Sequence, residues 1–365
     1  MKKNKADEVI HTDISNLIKS VTKDISKDFD LAEAGDLEFL STGNAGINYA
    51  ISGKFDGGFP ISRITELAGA NSTGKSLLAQ HALVETQRKK GIAVLVDTEF
   101  AFNPEWYRGL GGDPDTLIVY QAPHIDAVYS FIKKVVDSTR AKDKDIPITI
   151  VYDSVAASPS KLEYEGAEHD MGKRAIAHGK GIRMLMNLCG NQKVTFIAIN
   201  QYRKLIGVMY GPDEDTTGGM AWKYACSVRI KMKKGKKIET KTDIGEKVVG
   251  VHGSISVEKN RCRSPFAAAD FDIYFDKGID PVSGLFDVLV NDGVIQRRRN
   301  EEGKPVQGWW TYKDLNFQKT NFPQVYTKYP ELLGGHTPIE IDDNLSIEGD
   351  GDEEYGDTVS TEADM

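Results

Sequence analysis

The residues Gly69-Ala70-Asn71-Ser72-Thr73-Gly74-Lys75-Ser76 fit the pattern G-x-x-x-x-G-K-[ST] at every position. The chemistry of that pattern is phosphate binding. Glycines let the backbone wrap closely around phosphate oxygens, and loop amides at a helix N-terminus supply positive potential. Lys75 is placed to reach the β- and γ-phosphates of a nucleotide, and the Ser76 hydroxyl to ligate Mg²⁺. A second metal contact calls for an acid that ends a buried strand. Asp153 ends the apolar run Ile148–Tyr152 and meets that requirement. Hydrolysis also needs a group that polarises water. Ile92–Val96 runs into Asp97-Thr98-Glu99, and ligand-facing residues of α/β sheets lie beyond the carboxyl ends of strands. Glu99 is assigned as the general base, with Asp97 as its competitor.

Guanine-specific sites carry [NT]-K-x-D after a strand. Asn4-Lys5-Ala6-Asp7 and Thr240-Lys241-Thr242-Asp243 both match the string, but neither ends a buried strand. ATP is the expected nucleotide.

Two further stretches have the make-up of nucleic-acid loops. Tyr202 to Met220 lacks clear periodicity and combines the cations Arg203 and Lys204, four glycines and apolar tips. Cations can meet phosphates, glycine amides can approach a backbone, and apolar tips can wedge between bases. A connection that long inside a compact domain is functional or disordered. The second stretch runs from Glu165 to Arg174 and includes Gly172. His169 and His178 are nine residues apart with no H-E-x-x-H, so neither reads as a metal ligand.

Short apolar strands alternating with helices must hold these groups. Strands are expected at Ile64–Ala68, Ile92–Val96, Leu117–Tyr120, Ile148–Tyr152, Val194–Ile199, Val228–Met232, Val248–Val257 and Phe271–Phe275. The nearly all-apolar runs predict a mostly parallel sheet covered by helices on both faces. The last three follow one another without a helix and predict an antiparallel edge, with a Lys-rich turn at Lys231–Lys241. Residues 7–26 place Ile10, Ile14, Leu17, Ile18, Val21 and Ile25 at helical spacing. That stripe must dock on its own domain or on another subunit, and residues to Leu40 read as a linker. Residues 281–339 form a compact C-terminal portion with Trp309, Trp310 and Tyr312, and residues 340–365 are expected to be disordered.

The 365 residues suffice for one large α/β domain with appendages. No run approaches the ~18 apolar residues of a membrane span. The acids Asp7, Glu8 and Asp13 stand where a signal peptide would be apolar. Cys189, Cys226 and Cys262 are too scattered for a disulfide scaffold and suit a reducing cytoplasm. The net charge of −8 is unevenly spread: residues 340–365 hold 11 acids and no Lys or Arg, which leaves 46 basic against 43 acidic residues elsewhere. A slightly basic body with an acidic tail suits nucleic-acid contact with a self-competing tail, or a tail that only aids solubility.

Together these residues resemble the RecA family of recombinases over roughly Ser41 to Phe275. The matching motifs are the phosphate loop, Asp97-Thr98-Glu99, Tyr152-Asp153-Ser154, Ile199-Asn200-Gln201, Ile206-Gly207-Val208-Met209, Thr216-Thr217-Gly218-Gly219 and Lys259-Asn260-Arg261. Asp276 to Leu285 looks more like the phage UvsX-type recombinases and points to a phage origin, hence a host cytoplasm. The resemblance implies a RecA-like P-loop ATPase core at 41–280. An N-terminal oligomerisation helix at 1–40, a small C-terminal domain at 281–339 and an acidic tail at 340–365 complete the chain. It implies polymerisation with ATP on single-stranded DNA and strand exchange with homologous double-stranded DNA. A single-strand-binding protein and a loading mediator are further partners it admits.

By the same resemblance, Glu99 is the catalytic glutamate and Gln201 senses the γ-phosphate. Lys259 and Arg261 reach the neighbour's nucleotide; the bacterial pair is two lysines, so Arg261 keeps the charge and changes the geometry. Trp106, with Asn103 beside it, meets the adenine, and the N-terminal helix docks on the adjacent subunit. Gly172, Arg174, Arg203, Lys204, Ile206, Gly207, Val208, Met209, Thr217, Gly218 and Gly219 meet DNA. Residues 281–339 do not clearly match the bacterial C-terminal domain. The alternatives are a ring helicase on the same core, or a non-catalytic mediator. The Thr217-Gly218-Gly219 loop and the N-terminal helix argue against the first; Glu99 and Lys75 argue against the second.

Overall fold

The computed structural model describes residues 16–26, 36–168, 171–204, 214–242 and 245–337. The start of the expected N-terminal helix and the acidic tail lie outside them. The chain divides into two units, residues 1–37 and 38–365. In the first, helix α1 (residues 16–25) keeps Leu17, Ile18, Val21 and Ile25 exposed along one stripe.

The second unit opens with a small ribbon, β1 (Phe39–Leu40) against β2 (Phe59–Pro60), which brackets α2 (Ala45–Ser52). Asn44 caps α2 by accepting from the Ile47 amide. Then come β3 (Ile64–Gly69), α3 (Lys75–Arg88), β4 (Ile92–Asp97), α4 (Pro104–Gly109), β5 (Leu117–Tyr120), α5 (Ile125–Arg140) and β6 (Ile148–Asp153). They are followed by the single turn α6 (Lys161–Tyr164), α7 (Met171–Gln192) and β7 (Val194–Asn200). A short ribbon, β8 (Tyr202–Lys204) with β9 (Glu214–Thr216), leads to α8 (Met220–Ala225). The long strands β10 (Val228–Thr242) and β11 (Gly245–Asn260) then precede β12 (Ala268–Tyr274) and β13 (Gly278–Ile279).

These strands form one nine-stranded sheet in the order β13-β12-β11-β10-β3-β7-β6-β4-β5. From β10 to β5 every neighbour is parallel, while β10 to β13 pair antiparallel. Side chains alternate across the sheet. Leu67, Ala93 and Leu95 enter one core with α2 and α3; Ile64, Val94, Val96 and Ile150 enter the other with α5, α7 and Trp222 of α8. Both faces of β3, β4, β6 and β7 are covered, so these strands are apolar on both sides, as their sequences predict.

One expectation fails here. Lys231–Lys241 is not a turn but most of β10, paired with β11 apart from a register shift between Lys234 and Lys237 and another between Ile238 and Glu239. Strand β3 ends opposite Met232, which leaves β10 without a second partner; past Ile238 and Gly250, where β12 also ends, β10 and β11 continue as a two-stranded ribbon. Both faces of such a ribbon meet water, and lysines there carry no apolar alternation that would reveal a strand.

The C-terminal portion is α9 (Leu285–Asn291), the antiparallel sheet β14 (Gln296–Arg299), β15 (Pro305–Tyr312) and β16 (Leu315–Gln318), and α10 (Phe322–Lys328). Phe286, Leu289, Tyr312, Phe317 and Phe322 form its own core, which also takes in Ala45 of α2. No helix among the described residues is long and apolar enough to cross a membrane.

Candidate active site and loops at the strand ends

Strands β3, β7, β6 and β4 are neighbours, and their carboxyl ends carry the phosphate loop, Gln201, Asp153 and Glu99. The sheet alone brings together residues separated by more than 130 positions.

The phosphate loop is shaped by its glycines. A Cβ on Gly69 would lie 2.5 Å from the Met232 carbonyl and 2.9 Å from Thr73 Oγ1. Gly74 starts α3 at φ +88°, a region that disfavours side chains. Ser72 is also left-handed, at φ 59°. Thr73 Oγ1 donates to the Ala70 carbonyl at 3.0 Å, bracing the loop across Asn71 and Ser72. Lys75 is buried, and its ammonium donates to the same carbonyl at 2.7 Å. Burial lowers the Lys75 pKa, and the charges of Asp153 and Glu99 oppose that shift. Among the described residues, α3 is the helix whose N-terminus opens directly onto this loop.

Asp153 ends β6 as expected and is hydrogen-bonded to Ser76. Burial pushes its carboxyl up to about 6, the Ser76 hydroxyl opposes the shift, and Glu99 and Asp97 reinforce it. Ser76 and Asp153 therefore present paired oxygens beside the phosphate loop. That is the donor chemistry of a Mg²⁺ site that keeps its remaining positions for phosphate and water.

Asp97 and Glu99 differ in their hydrogen bonding. Asp97 is buried and accepts from the Glu99 amide at 3.2 Å and the Phe102 amide at 3.0 Å, so it shapes the turn. Glu99 projects from that turn. Its Oε1 accepts from Ser154 Oγ at 2.6 Å and from Gln201 Nε2 at 3.5 Å. Thr98 stitches the two strand ends together. Its amide donates to the Asp153 carbonyl at 2.7 Å, and its Oγ1 accepts from the Ser154 amide at 2.9 Å.

Asn103 caps α4, accepting from the amides of Glu105 and Trp106, and Trp106 packs half-buried against the main core. Lys259 and Arg261 lie elsewhere. Lys259 pairs with Arg229, which pairs with Glu66, three residues before Gly69. That offset places Lys259 about 10 Å down the sheet from the chain's own phosphate loop. Lys259 Nζ donates to the carbonyls of Lys223 at 2.7 Å and Tyr224 at 3.3 Å, and Arg261 donates to Tyr224 at 3.4 Å. Both cations thus sit at the C-terminal end of α8.

The described residues of the long loop after β7 include the β8–β9 ribbon, which pairs Tyr202 with Thr216 and places Arg203 and Lys204 on one strand. Ile206, Gly207, Val208 and Met209 lie outside the described residues. Thr217, Gly218 and Gly219 close the loop onto α8. Gly219 has φ 78° and ψ −176°, a conformation nearly exclusive to glycine. A Cβ on Gly219 would sit 3.4 Å from Ala175 Cβ, so the two loop ends meet. Gly172 lies in the first turn of α7. Arg174, expected to face DNA, pairs with Glu163, with Nε 2.8 Å from Oε2. Glu163 is the capping-box acid of α6, so this guanidinium braces a turn.

Sequence reasoning overlooked Glu66, Arg229 and the role of Ser154. Glu66 had a visible signal: it is a charge inside the apolar run Ile64–Ala68.

A phosphate loop after β3, with acids at the ends of β6 and β4 beyond β7 in the same parallel sheet, defines a P-loop ATPase core. Residues 8–280 match the family model for the RecA N-terminal domain. The protein RecA of Chlorobaculum parvum is 39% identical over 275 residues, covering 75% of this chain and 73% of that one. RecA of Chlorobaculum tepidum is 38% identical, covering 72% of each, and RecA of Thermotoga maritima is 32% identical, covering 83% and 80%. The chain belongs to the RecA family, DNA-dependent ATPases that act as recombinases in DNA repair.

Proposed function

We propose that this chain polymerises on single-stranded DNA as a helical filament, with ATP held at the seam between protomers, and exchanges strands with homologous duplex DNA. The observation that carries this reading is the placement of Lys259 and Arg261, down the sheet from their own phosphate loop and at the end of α8. Cations so placed serve a neighbour's nucleotide more readily than their own. Binding ATP then stabilises the interface, and hydrolysis weakens it.

In this mechanism Lys75 and the loop amides of Gly69–Ser76 hold the β- and γ-phosphates. Ser76 and Asp153 would hold Mg²⁺, which supplies charge neutralisation when bound. Glu99 orients the attacking water and takes its proton as the water oxygen bonds to the γ-phosphorus and the bond to the β-phosphate oxygen breaks. Lys259 and Arg261 of the adjacent protomer stabilise the spreading negative charge. Gln201, touching Glu99 at one end of the long loop, reports the γ-phosphate to that loop. Trp106 and Asn103 border the adenine.

DNA is met by Gly172, Arg203, Lys204, residues 206–209 and Thr217–Gly219, with Arg174 bracing the first loop. Residues 1–40 serve oligomerisation, 41–280 the ATPase core, 281–339 a separate small domain and 340–365 an acidic tail. Within the family we place the chain beside the phage UvsX-type recombinases on the Asp276–Leu285 segment, acting in a host cytoplasm.

The test is negative-stain imaging with single-stranded DNA and a non-hydrolysable ATP analogue. Open helical filaments that require both ligands are expected. Closed rings would favour the helicase alternative and end this reading.

A further inference from the structure

The carboxylate of Glu66 is fully buried in the middle of the sheet. A buried charge is costly unless every oxygen is matched. Glu66 Oε2 receives Arg229 Nε at 2.5 Å, across the β3–β10 pair. Its Oε1 receives Asn200 Nδ2 at 2.8 Å. Each partner also holds something else. Asn200 Nδ2 donates to the Thr217 carbonyl at 2.8 Å, and Asn200 Oδ1 accepts from the Gln201 amide at 2.9 Å. Arg229 donates to Thr216 Oγ1 at 3.3 Å.

We propose that Glu66 and Arg229 are positioning residues that couple the hydrolysis site to the DNA loop through Asn200 and Thr216. The inference rests on the reading of the two loops given above. One oxygen of Glu66 leads through Asn200 to Gln201 and so to Glu99. The other leads through Arg229 to Thr216, where the loop returns. A DNA strand that displaces Thr216 and Thr217 must carry Asn200 and Arg229 with it or break their hydrogen bonds to the loop. Stability does not require an ion pair here, because well-packed apolar side chains of similar size are commonly as stable. An apolar pair cannot hold Asn200 and Thr216 in one orientation. That difference separates a coupling role from a structural one.

The experiment compares the wild-type chain with Thr216→Val and with the double variant Glu66→Leu/Arg229→Met. Thermal unfolding, DNA-free ATPase and the ratio of ATPase with and without single-stranded DNA are measured. Both variants are expected to fold and to hydrolyse ATP without DNA within about twofold of wild type. Stimulation by DNA is expected to fall about fivefold or more in the double variant. It is expected to fall about twofold in Thr216→Val, which keeps the ion pair and loses one acceptor. Undiminished stimulation in a folded double variant overturns the proposal. If the double variant does not fold, undiminished stimulation in Thr216→Val overturns it. A wild-type protein that DNA does not stimulate defeats the recombinase reading itself, and the coupling with it.

Discussion

The Ser154 hydroxyl donates to Glu99 Oε1 at 2.6 Å across the ends of the neighbouring strands β6 and β4. That bond fixes the rotamer of an otherwise exposed side chain, and a general base must be aimed as well as ionised. Glu99→Gln should lower kcat by roughly 10²- to 10⁴-fold while nucleotide binding persists. Ser154→Ala should keep the base and lose its aim, lowering kcat by about tenfold with little change in KM. Steady-state ATPase assays with equilibrium binding of a labelled nucleotide separate the two effects. Loss of nucleotide binding in Glu99→Gln would remove Glu99 from the chemistry.

The position of Lys259 and Arg261 makes a prediction about mixtures. A Lys259→Ala/Arg261→Ala chain has an intact phosphate loop, and a Lys75→Ala chain has intact cations. Each alone should lose about 10³-fold or more in DNA-stimulated ATPase, the scale of a cationic finger. Mixed together, the first chain's loop meets the second chain's cations wherever they adjoin in the right order. Equimolar mixing should restore a rate on the order of a quarter of wild type, because about one seam in four is then complete. A mixture no faster than its components would show that the cations act within one chain.

The centre of the sheet was legible because β3, β4, β6 and β7 bury both faces and leave compact apolar runs. The positions of Asp153 and Glu99 at strand ends were legible for the same reason: Asp153 closes one such run, and Glu99 lies two residues beyond the end of another. The Lys-rich half of β10 was hidden, since a ribbon wet on both faces has no burial pattern to display. The Arg174 ion pair was hidden in another way. A cation on a glycine-flanked stretch looks available, and only the fold shows Glu163 eleven residues upstream within reach. The Glu66 network is non-local by nature: its partners Asn200 and Arg229 are 134 and 163 residues away.

Helix α7 contains a built-in control on packing, because its glycines differ in surroundings. A Cβ on Gly179 meets nothing within 4 Å, whereas one on Gly181 would lie 2.1 Å from the Tyr129 ring. Gly179→Ala should stabilise the protein by about 0.5–1 kcal/mol through helix propensity. Gly181→Ala should destabilise it by about 1–3 kcal/mol, because the ring must move within a packed core. Urea unfolding of the two variants checks the signs. Equal shifts would mean that α7 does not pack on α5 through Gly181.

His178 couples this helix to acidity. Its ring is fully buried, lies 3.1 Å from the Tyr129 hydroxyl through Nδ1, and stacks on Trp222 of α8 with centroids 6.0 Å apart. Burial lowers its pKa to about 4 from the ordinary 6.5. A histidine whose folded pKa is depressed binds its proton more tightly when unfolded. Its contribution to stability is therefore complete above pH 6.5 and is lost as pH falls through 6.5 toward 4. The shift corresponds to at most about 3 kcal/mol. His178→Met removes the titration while filling similar space. Its unfolding free energy should fall less steeply between pH 6.5 and 4 than that of wild type, and the two proteins should run parallel above pH 7. Because His178 ties α7 to the helix that closes the long loop, acid should also weaken DNA-stimulated ATPase in wild type more than in the variant. Identical pH profiles for stability would show that His178 has the same pKa folded and unfolded, its ring not being sealed from water.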